Sequence, residues 1–314
     1  MALLVLGGLF MMRMPGRSHR GPLPALTAQE SALAQRLRAH VEQLAGVVGE
    51  RNVRRPDRLE AAARYIEDVW RRLGYEPRRQ NHEVAGSAVS NVEVSLRGGE
   101  EIVVVGAHYD SVPGCPAAND NASGVAAMLE IARLLRGRRS ARAVRFVAFV
   151  NEEPPFFQTP DMGSLVYARR ARERGEKIAG MLSLETIGCY SDADGSQRYP
   201  FPFSLFYPGT GDFIAFVGNL GSRSLVRRCI ASFRSHTRFP SEGAAVPGWI
   251  PGVGWSDHWS FWKAGYPAVM ITDTAPFRYA HYHAPSDTPD RLDYERMARV
   301  TAGVARVVTE IAGS

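Results

Sequence analysis

A buried strand that leads into a polar turn and then into a helix most restricts the fold of this 314-residue chain. The apolar run at residues 102–105 is followed by His108, and Asp120 lies just before the apolar run at residues 124–135. A continuous apolar run such as residues 102–105 is typical of a strand that is buried on both faces. Polar residues at the carboxyl end of such a strand and at the start of the next helix lie where α/β enzymes build their sites.

The same alternation of strands and helices continues along the chain. Apolar or alternating runs predict strands at residues 78–84, 90–96, 102–107, 144–150, 179–187 and 268–272. Apolar residues at helical spacing and capping signals predict helices at residues 27–44, 56–73, 124–136, 164–174, 220–233 and 293–311. Strands that alternate with helices indicate an α/β fold, with a mostly parallel central sheet and helices on both faces.

The composition fits one globular domain and gives no sign of a nucleic-acid partner. Hydrophobic residues make up 45% of the chain, which is ordinary for a protein with a full core. The net charge of +6 comes from 38 basic and 32 acidic residues, and the arginines are scattered rather than clustered. The three cysteines form no C-x-x-C pair, so the sequence does not predict a disulfide framework.

The first 24 residues differ in character from the rest of the chain. Residues 2–12 are apolar and are followed by three arginines, but the run is too short for a spanning helix, which needs about 18 apolar residues. It is either the remainder of a secretion signal or anchor, which would favour a secreted, periplasmic or membrane-anchored protein and membrane association, or a hydrophobic tail. We therefore divide the chain into a tail and linker at residues 1–24 and one domain at residues 25–314.

Several metal-binding side chains follow the predicted strands. His108, the neighbours Glu152 and Glu153, and Glu185 each lie at or after the end of a strand, and His283 follows a further strand after a short loop. The carboxyl ends of parallel strands meet at one edge of a sheet, so these side chains are expected to converge. Two adjacent carboxylates repel each other unless metals or protons compensate their charge, so the pattern predicts a site for divalent ions.

The motifs that contain these residues resemble the M28 family of zinc aminopeptidases. In chain order they are His108-Tyr109-Asp110, Asn119-Asp120-Asn121 with Ser123-Gly124, Glu152-Glu153, Glu185 before Ile187-Gly188, Ser256-Asp257-His258, and Tyr282-His283 with Ser286-Asp287-Thr288. The resemblance runs from about Ala28 to the C terminus, and the order and spacing of five ligand positions make it specific. It implies the three-layer fold of the zinc exopeptidases.

The resemblance also implies a set of metal ligands. Asp120 would bridge two zinc ions, His108 and Glu185 would complete one site, and Glu153 and His283 would complete the other. Nitrogen and oxygen ligands of these kinds suit zinc. Members of the family often have a cis peptide bond after the bridging aspartate, so we expect one after Asp120.

Catalytic roles follow from the resemblance in the same way. Glu152 would be the general base for a metal-bound hydroxide that attacks the peptide bond, and would later protonate the leaving amine. Asp110 would fix the imidazole of His108, and Tyr282 would donate a hydrogen bond to the oxyanion. Asp257 is open to two interpretations, a helix cap or a hydrogen-bond partner near the general base.

The chain departs from the family pattern in ways that leave alternatives open. The family commonly has aspartate at the position of Glu185, and Asp192 is a nearby second candidate ligand. His281 lies two residues from His283, and only motif spacing favours the latter. Residues 154–162 are an insertion whose two phenylalanines are expected to form one wall of the substrate pocket.

The resemblance favours an aminopeptidase that acts on peptides with a free N terminus. A glutaminyl-cyclase-like acyltransferase on the same fold is the first alternative, although those enzymes tend to have tryptophan where this chain has Tyr282. A carboxypeptidase would need a cation in the pocket, for which Arg278 and Arg198 are the candidates. A non-catalytic, receptor-like domain is disfavoured because all five ligand positions and Glu152 are suitable. The preferred substrate side chain and the oligomeric state are not predicted.

Overall fold

The computed structural model describes residues 11–84 and 86–313. Most of the apolar N-terminal segment, residues 2–10, lies outside these ranges, so its interpretation as a tail or an anchor stays a prediction. Within the described ranges, no helix combines the length and the apolar character needed to cross a membrane.

The described residues form a single mixed sheet of eight strands in the order β1-β2-β4-β3-β5-β8-β6-β7. The strands are β1 Arg78–Val84, β2 Ser87–Leu96, β3 Gly99–His108, β4 Arg142–Phe149, β5 Ile178–Glu185, β6 Ile214–Gly218, β7 Ser241–Ala245 and β8 Ala268–Thr272. The central strands β4, β3, β5 and β8 are parallel, and antiparallel pairings join β2 to β4 and β6 to β8. The α/β fold with a mostly parallel sheet is therefore confirmed.

Helices cover both faces of this sheet. They are α1 Ala28–Val41, α2 Pro56–Arg72, α3 Gly124–Leu135, α4 Gly163–Glu173, α5 Arg223–His236, α6 His258–Lys263, α7 Ala275–Arg278 and α8 Tyr294–Ala312. The larger core contains residues of α1, α2, α3, α5 and α8, and a smaller core on the other face contains residues of α4 and α6. Strand β3 lies between these cores, and Val103, Val104 and Val105 are fully buried.

Local sequence signals set the helix boundaries that the sequence predicts. At the start of α1, the hydroxyl of Thr27 accepts a hydrogen bond from the backbone N–H of Glu30, whose carboxylate accepts one from the N–H of Thr27. This reciprocal capping satisfies two N–H groups that the first turn of a helix leaves free. Helix α2 begins with Pro56, and Gly74, at φ +81°, follows its last turn.

The sequence does not predict the short elements β6, β7 and α7, and it indicates α6 only through the interpretation of Asp257 as a helix cap. Strands β6 and β7 have five residues each, and β7 reads Ser-Glu-Gly-Ala-Ala, which lacks the β-branched and aromatic residues typical of strands. These two strands extend the sheet beyond β8 and form part of the wall of an apolar pocket.

Candidate metal centre

The predicted site residues meet at the carboxyl edge of the parallel strands. His108 is the last residue of β3, Glu185 is the last residue of β5, and Glu152 and Glu153 come just after β4. These four are buried, whereas the side chain of His283, in the loop after α7, is 32% exposed. The structure therefore brings together residues that are far apart in the sequence.

The carboxylate of Asp120 lies between two separate groups of side chains. Its Oδ1 is 3.2 Å from Nε2 of His108, and that nitrogen is 3.4 Å from Oε2 of Glu185. Its Oδ2 is 3.0 Å from Nε2 of His283, which in turn is 3.2 Å from Oε2 of Glu153. In each group the three candidate ligand atoms lie within 4.8 Å of one another, close enough to surround one metal ion.

The polar atoms of this centre suit a divalent metal. Within the described ranges, buried atoms that take part in no hydrogen bond include both ring nitrogens of His108, Oδ1 of Asp120 and Oε1 of Glu153. Buried polar atoms are almost always paired, so unpaired atoms that face one space call for an ion or another ligand. A set of imidazole nitrogens and carboxylate oxygens matches the ligands that zinc prefers.

The charge of the centre leads to the same conclusion. Burial raises the pKa of Glu153 to about 8, with a further contribution from Asp120, and burial raises the pKa of Glu152 well above its usual range. Burial alone would lower the pKa of His108, but the carboxylates of Glu152 and Glu185 outweigh this and raise it. The cluster therefore requires positive charge, which protons or metal ions supply.

A second aspartate, Asp287, holds Asp120 in place. In the sequence it is noticeable only as part of the Ser286-Asp287-Thr288 motif. The carboxylate of Asp287 accepts hydrogen bonds from the backbone N–H groups of Asn119 and Asp120, at 2.9 and 3.1 Å. The hydroxyl of Tyr279 donates to the same carboxylate at 2.8 Å. The peptide bond between Asp120 and Asn121 is cis, as the resemblance implied.

Asp110 has contacts beyond the predicted one. Its carboxylate lies 3.5 Å from Nδ1 of His108, the nitrogen it was expected to fix. It also accepts hydrogen bonds from the backbone N–H groups of Glu152 and Glu153, at 3.1 and 3.2 Å. Asp110 thus positions the glutamate pair as well as lying beside the imidazole, a role that spacing along the chain does not reveal.

A buried arginine that the sequence analysis missed supports the loop between β3 and α3. Arg51 is fully buried, and its guanidinium donates to the backbone carbonyls of Tyr109, Pro116 and Ala117 at 2.6, 2.6 and 3.0 Å. These bonds tie the end of β3 to the turn that carries Asp120. Nothing in the sequence distinguishes this arginine from the many exposed ones.

The structure distinguishes between the alternative candidate ligands, which are Glu185 or Asp192 and His283 or His281. Glu185 lies in the centre and accepts a hydrogen bond from the Ser256 hydroxyl at 2.7 Å. Asp192 has a side chain that is 74% exposed and forms an ion pair with Arg296. Likewise His283 reaches Asp120, whereas Nδ1 of His281 lies 2.8 Å from the Ser286 hydroxyl.

Asp257 lies at the start of α6 and is completely buried. It occupies the N-cap position of that helix, but its side chain makes no capping hydrogen bond. Burial raises the pKa of Asp257 to about 7, and its charge acts on Glu152. It is therefore a polar neighbour of the glutamate predicted as the base.

An apolar pocket of about 110 Å³ opens beside Glu185 and Tyr282. Aromatic residues dominate its wall, among them Phe203, Tyr207, Phe213, Trp255 and Phe277. Residues 154–162 do not line it, but Pro154, Pro155 and Phe156 line a smaller pocket beside Asp110 and Glu153, so the prediction that the insertion forms one wall of the substrate pocket stays a prediction. The ring of Tyr282 stacks on that of His283 with centroids 3.9 Å apart, which puts the phenol between the pocket and the metal ligands.

Neither candidate cation for a carboxypeptidase lines this pocket. The guanidinium of Arg278 is buried and donates to the side chain of Gln197 and to the backbone carbonyls of Cys189 and Phe213. Arg198 is exposed at the surface. The described lining contains no lysine or arginine at all.

Comparisons with known proteins agree with this geometry. The fold and the site define a zinc metallopeptidase of the α/β class. The model of peptidase family M28 matches residues 91–308, and the chain belongs to that family. The uncharacterized protein YfbL of Escherichia coli strain K12 is 40% identical over 283 residues, which cover 87% of each chain.

Solved structures of two kinds share the fold. A zinc aminopeptidase from Bacillus subtilis superimposes with a TM-score of 0.72 at 16% identity, covering 90% of this chain and 95% of that one. A glutaminyl cyclase from Fimbriiglobus ruber superimposes with a TM-score of 0.66 at 22% identity, covering 94% and 97%. At these identities the likeness shows the fold, and the activity has to be argued from the site.

Proposed function

We propose that the protein is a two-zinc aminopeptidase, which hydrolyses the first peptide bond of a substrate with a free N terminus. The observation that carries this proposal is the position of Asp120, whose two oxygens face two separate groups of imidazole and carboxylate ligands. His108 and Glu185 would hold one zinc ion, and Glu153 and His283 the other. Bound zinc supplies an acidified water and polarises a carbonyl oxygen.

Glu152 is the side chain best placed to move protons. Its Oε2 lies 3.8 Å from Nε2 of His108, so it reaches the space around the metal ligands. Burial raises the pKa of Glu152, which makes this carboxylate a stronger base than an exposed glutamate. Glu152 accepts a proton from the attacking water and delivers it to the nitrogen of the leaving amine.

Tyr282 stabilises the negative charge that develops on the carbonyl oxygen. Its ring is fixed by stacking on His283, and it borders the pocket beside the centre. Burial raises the pKa of this phenol, so it stays a hydrogen-bond donor throughout the working pH range. A fixed donor aimed at the developing oxyanion lowers the barrier without reorganisation.

The charge around the centre favours an N-terminal over a C-terminal residue of the substrate. Five carboxylates meet there, on Asp110, Asp120, Glu152, Glu153 and Glu185, so two zinc ions would leave one negative charge uncompensated, and the described lining of the adjoining pocket has no cation. A free α-amino group is attracted to such a site and a free carboxylate is repelled. An aminopeptidase therefore fits the electrostatics better than a carboxypeptidase.

Metal content and a substrate panel test the proposal. The panel contains aminoacyl-p-nitroanilides, the same compounds with a blocked amine, and a glutaminyl peptide. We expect close to two zinc ions per chain and cleavage of the free-amine compounds alone. About one zinc ion with ammonia release and a cyclised N terminus would instead support the glutaminyl-cyclase alternative. The structural similarity to the Fimbriiglobus ruber enzyme is the observation that suggests this alternative. Absence of metal and of turnover would favour a non-catalytic domain.

A further inference from the structure

The floor of the pocket contains a row of residues that runs across four neighbouring strands. Glu185 is directly opposite Thr272, Thr272 is opposite Ala215, and Ala215 is opposite Glu242. All four residues line the pocket. Since adjacent strands are about 4.8 Å apart, the Cα atom of Glu242 lies about 14 Å from that of Glu185. Glu242 therefore marks the end of the floor that is farthest from the metal centre.

Glu242 is an unusual residue for this position. The rest of the wall is mainly aromatic and aliphatic, as with Phe213, Val217 and Met270, and Glu242 is the acidic residue of the lining that is not a candidate metal ligand. Within residues 11–84 and 86–313, no side chain or backbone group hydrogen-bonds to its carboxylate, and no cation lies within ion-pair distance. Its oxygens are not among the buried polar atoms that lack partners, so water solvates this half-buried carboxylate until a ligand displaces it.

The neighbouring charges leave this carboxylate available. Burial raises the pKa of Glu242, and Asp212 acts in the same direction, whereas Arg234 and Arg20 oppose the shift. The guanidinium of Arg234 is already engaged, because it donates to the hydroxyl and the backbone carbonyl of Ser241 at 3.0 and 2.6 Å. A cation that enters the pocket would therefore relieve an unpaired charge.

We propose that Glu242 determines specificity, and that the enzyme prefers substrates whose N-terminal residue is lysine or arginine. This inference rests on the proposed aminopeptidase function. Such a side chain extends about 7 Å from its Cα atom, so it can reach along the floor from the metal centre towards Glu242. Its aliphatic stem packs against the apolar walls while its charged end pairs with Glu242.

Lysine and norleucine substrates test the inference most directly, because norleucine has an aliphatic stem of almost the same length and no charge. In the zinc-loaded wild-type protein, we expect kcat/KM for lysyl-p-nitroanilide to exceed that for norleucyl-p-nitroanilide by about 10-fold or more. In Glu242→Gln, that ratio should fall by about 10- to 100-fold, since the charged hydrogen bond is lost. Asp212→Asn removes a neighbouring carboxylate that does not line the pocket, and should keep the wild-type ratio.

The outcomes separate this inference from the function on which it rests. If the wild-type protein cleaves norleucyl-p-nitroanilide but cleaves the lysyl compound no faster, the specificity is wrong and the aminopeptidase stands. If it cleaves none of the free-amine compounds, both proposals are wrong. The wild-type comparison needs no variant, so it decides the question even if Glu242→Gln does not fold. A ratio that is equal in wild type and Glu242→Gln would remove Glu242 as the cause of any preference.

Discussion

The metal centre and the Glu130 cluster (Glu130 with Arg36, His40 and Arg133) both contain buried carboxylates, and they obtain positive charge in different ways. Glu130, within α3, accepts hydrogen bonds from Arg36 and Arg133 at 2.9 and 2.7 Å and lies 3.4 Å from Nε2 of His40. Burial alone would raise the pKa of Glu130, but these three partners hold it at about 2. In the metal centre just before α3, the described residues include no lysine or arginine that forms an ion pair with a carboxylate.

The difference shows how a structural carboxylate can be told from a functional one. The Glu130 cluster is complete, because the chain itself supplies the cations that compensate for desolvation. The metal centre is incomplete without an external cation, because burial leaves the pKa values of Glu152 and Glu153 raised and buried atoms unpaired. Perturbed pKa values together with unpaired atoms indicate function, whereas a saturated cluster indicates stability.

The largest effect that we expect is a loss of activity on substitution in the metal centre. Glu152→Gln should lower kcat by about 10²- to 10⁴-fold, because it removes the group that transfers protons, and should leave the metal content unchanged. Activity assays and elemental analysis of the purified variant measure this. Glu100→Gln, an exposed change at the opposite end of β3, is the matched control and should behave as wild type. Retained activity, or loss of metal, in Glu152→Gln would show that Glu152 is not the base.

Removal of the metal should destabilise the metal centre and leave the Glu130 cluster intact. A ligand at 1,000 times its Kd contributes about 4 kcal/mol to the free energy of unfolding, so a chelator should lower Tm and added zinc should restore it. The loss should add to that caused by Glu130→Gln to within about 0.5 kcal/mol, as expected for separate sites. Calorimetry on both proteins, with and without chelator, measures this. An unchanged Tm in the chelated wild-type protein would count against a metal centre.

The Glu130 cluster should affect stability rather than activity. Since the pKa of Glu130 falls from about 4.5 in the unfolded chain to about 2 in the fold, its charge contributes about 3 kcal/mol at neutral pH. That contribution is complete above about pH 4.5 and is lost as the pH falls towards about 2. The difference in the free energy of unfolding between wild type and Glu130→Gln should narrow over that range. Denaturant titrations at pH 7 and pH 3 measure it, and a difference that stays constant would contradict the assignment.

The sequence predicts the central fold well because strong local signals produce it. The buried strands β3, β4, β5 and β8 are continuous apolar runs, and α1 begins with a complete capping box. Strands β6 and β7 escape prediction because they are short and owe their structure to pairing with β8 and with each other. This omission conceals the pocket, since Glu242 becomes a floor residue only when β7 joins the sheet.

The site is predictable in its residue types but not in its supporting contacts. Strand ends and motif spacing identify His108, Asp120, the glutamate pair and His283 as candidates. In the structure all of them lie in the groups that could bind a metal ion. The spacing cannot show that Arg51 ties the loop before α3 together, because that depends on backbone carbonyls that come close only in the fold. Nor can it show that the insertion lies outside the lining of the apolar pocket.

The smallest effect that we predict tests whether Asp110 belongs with the metal centre. In Asp110→Asn, an amide group replaces one of the two oxygens that accept the backbone N–H groups of Glu152 and Glu153, so a buried donor loses its partner. We expect zinc affinity or kcat/KM to fall by about 10- to 100-fold, the range typical of groups that orient metal ligands. Asp192→Asn makes the same chemical change at an exposed ion pair and should have no such effect. If the two variants behave alike, Asp110 is a structural carboxylate that has no role in the metal centre. Unpaired buried atoms, rather than contacts to the metal ligands, would then be the feature that distinguishes the metal centre from the Glu130 cluster.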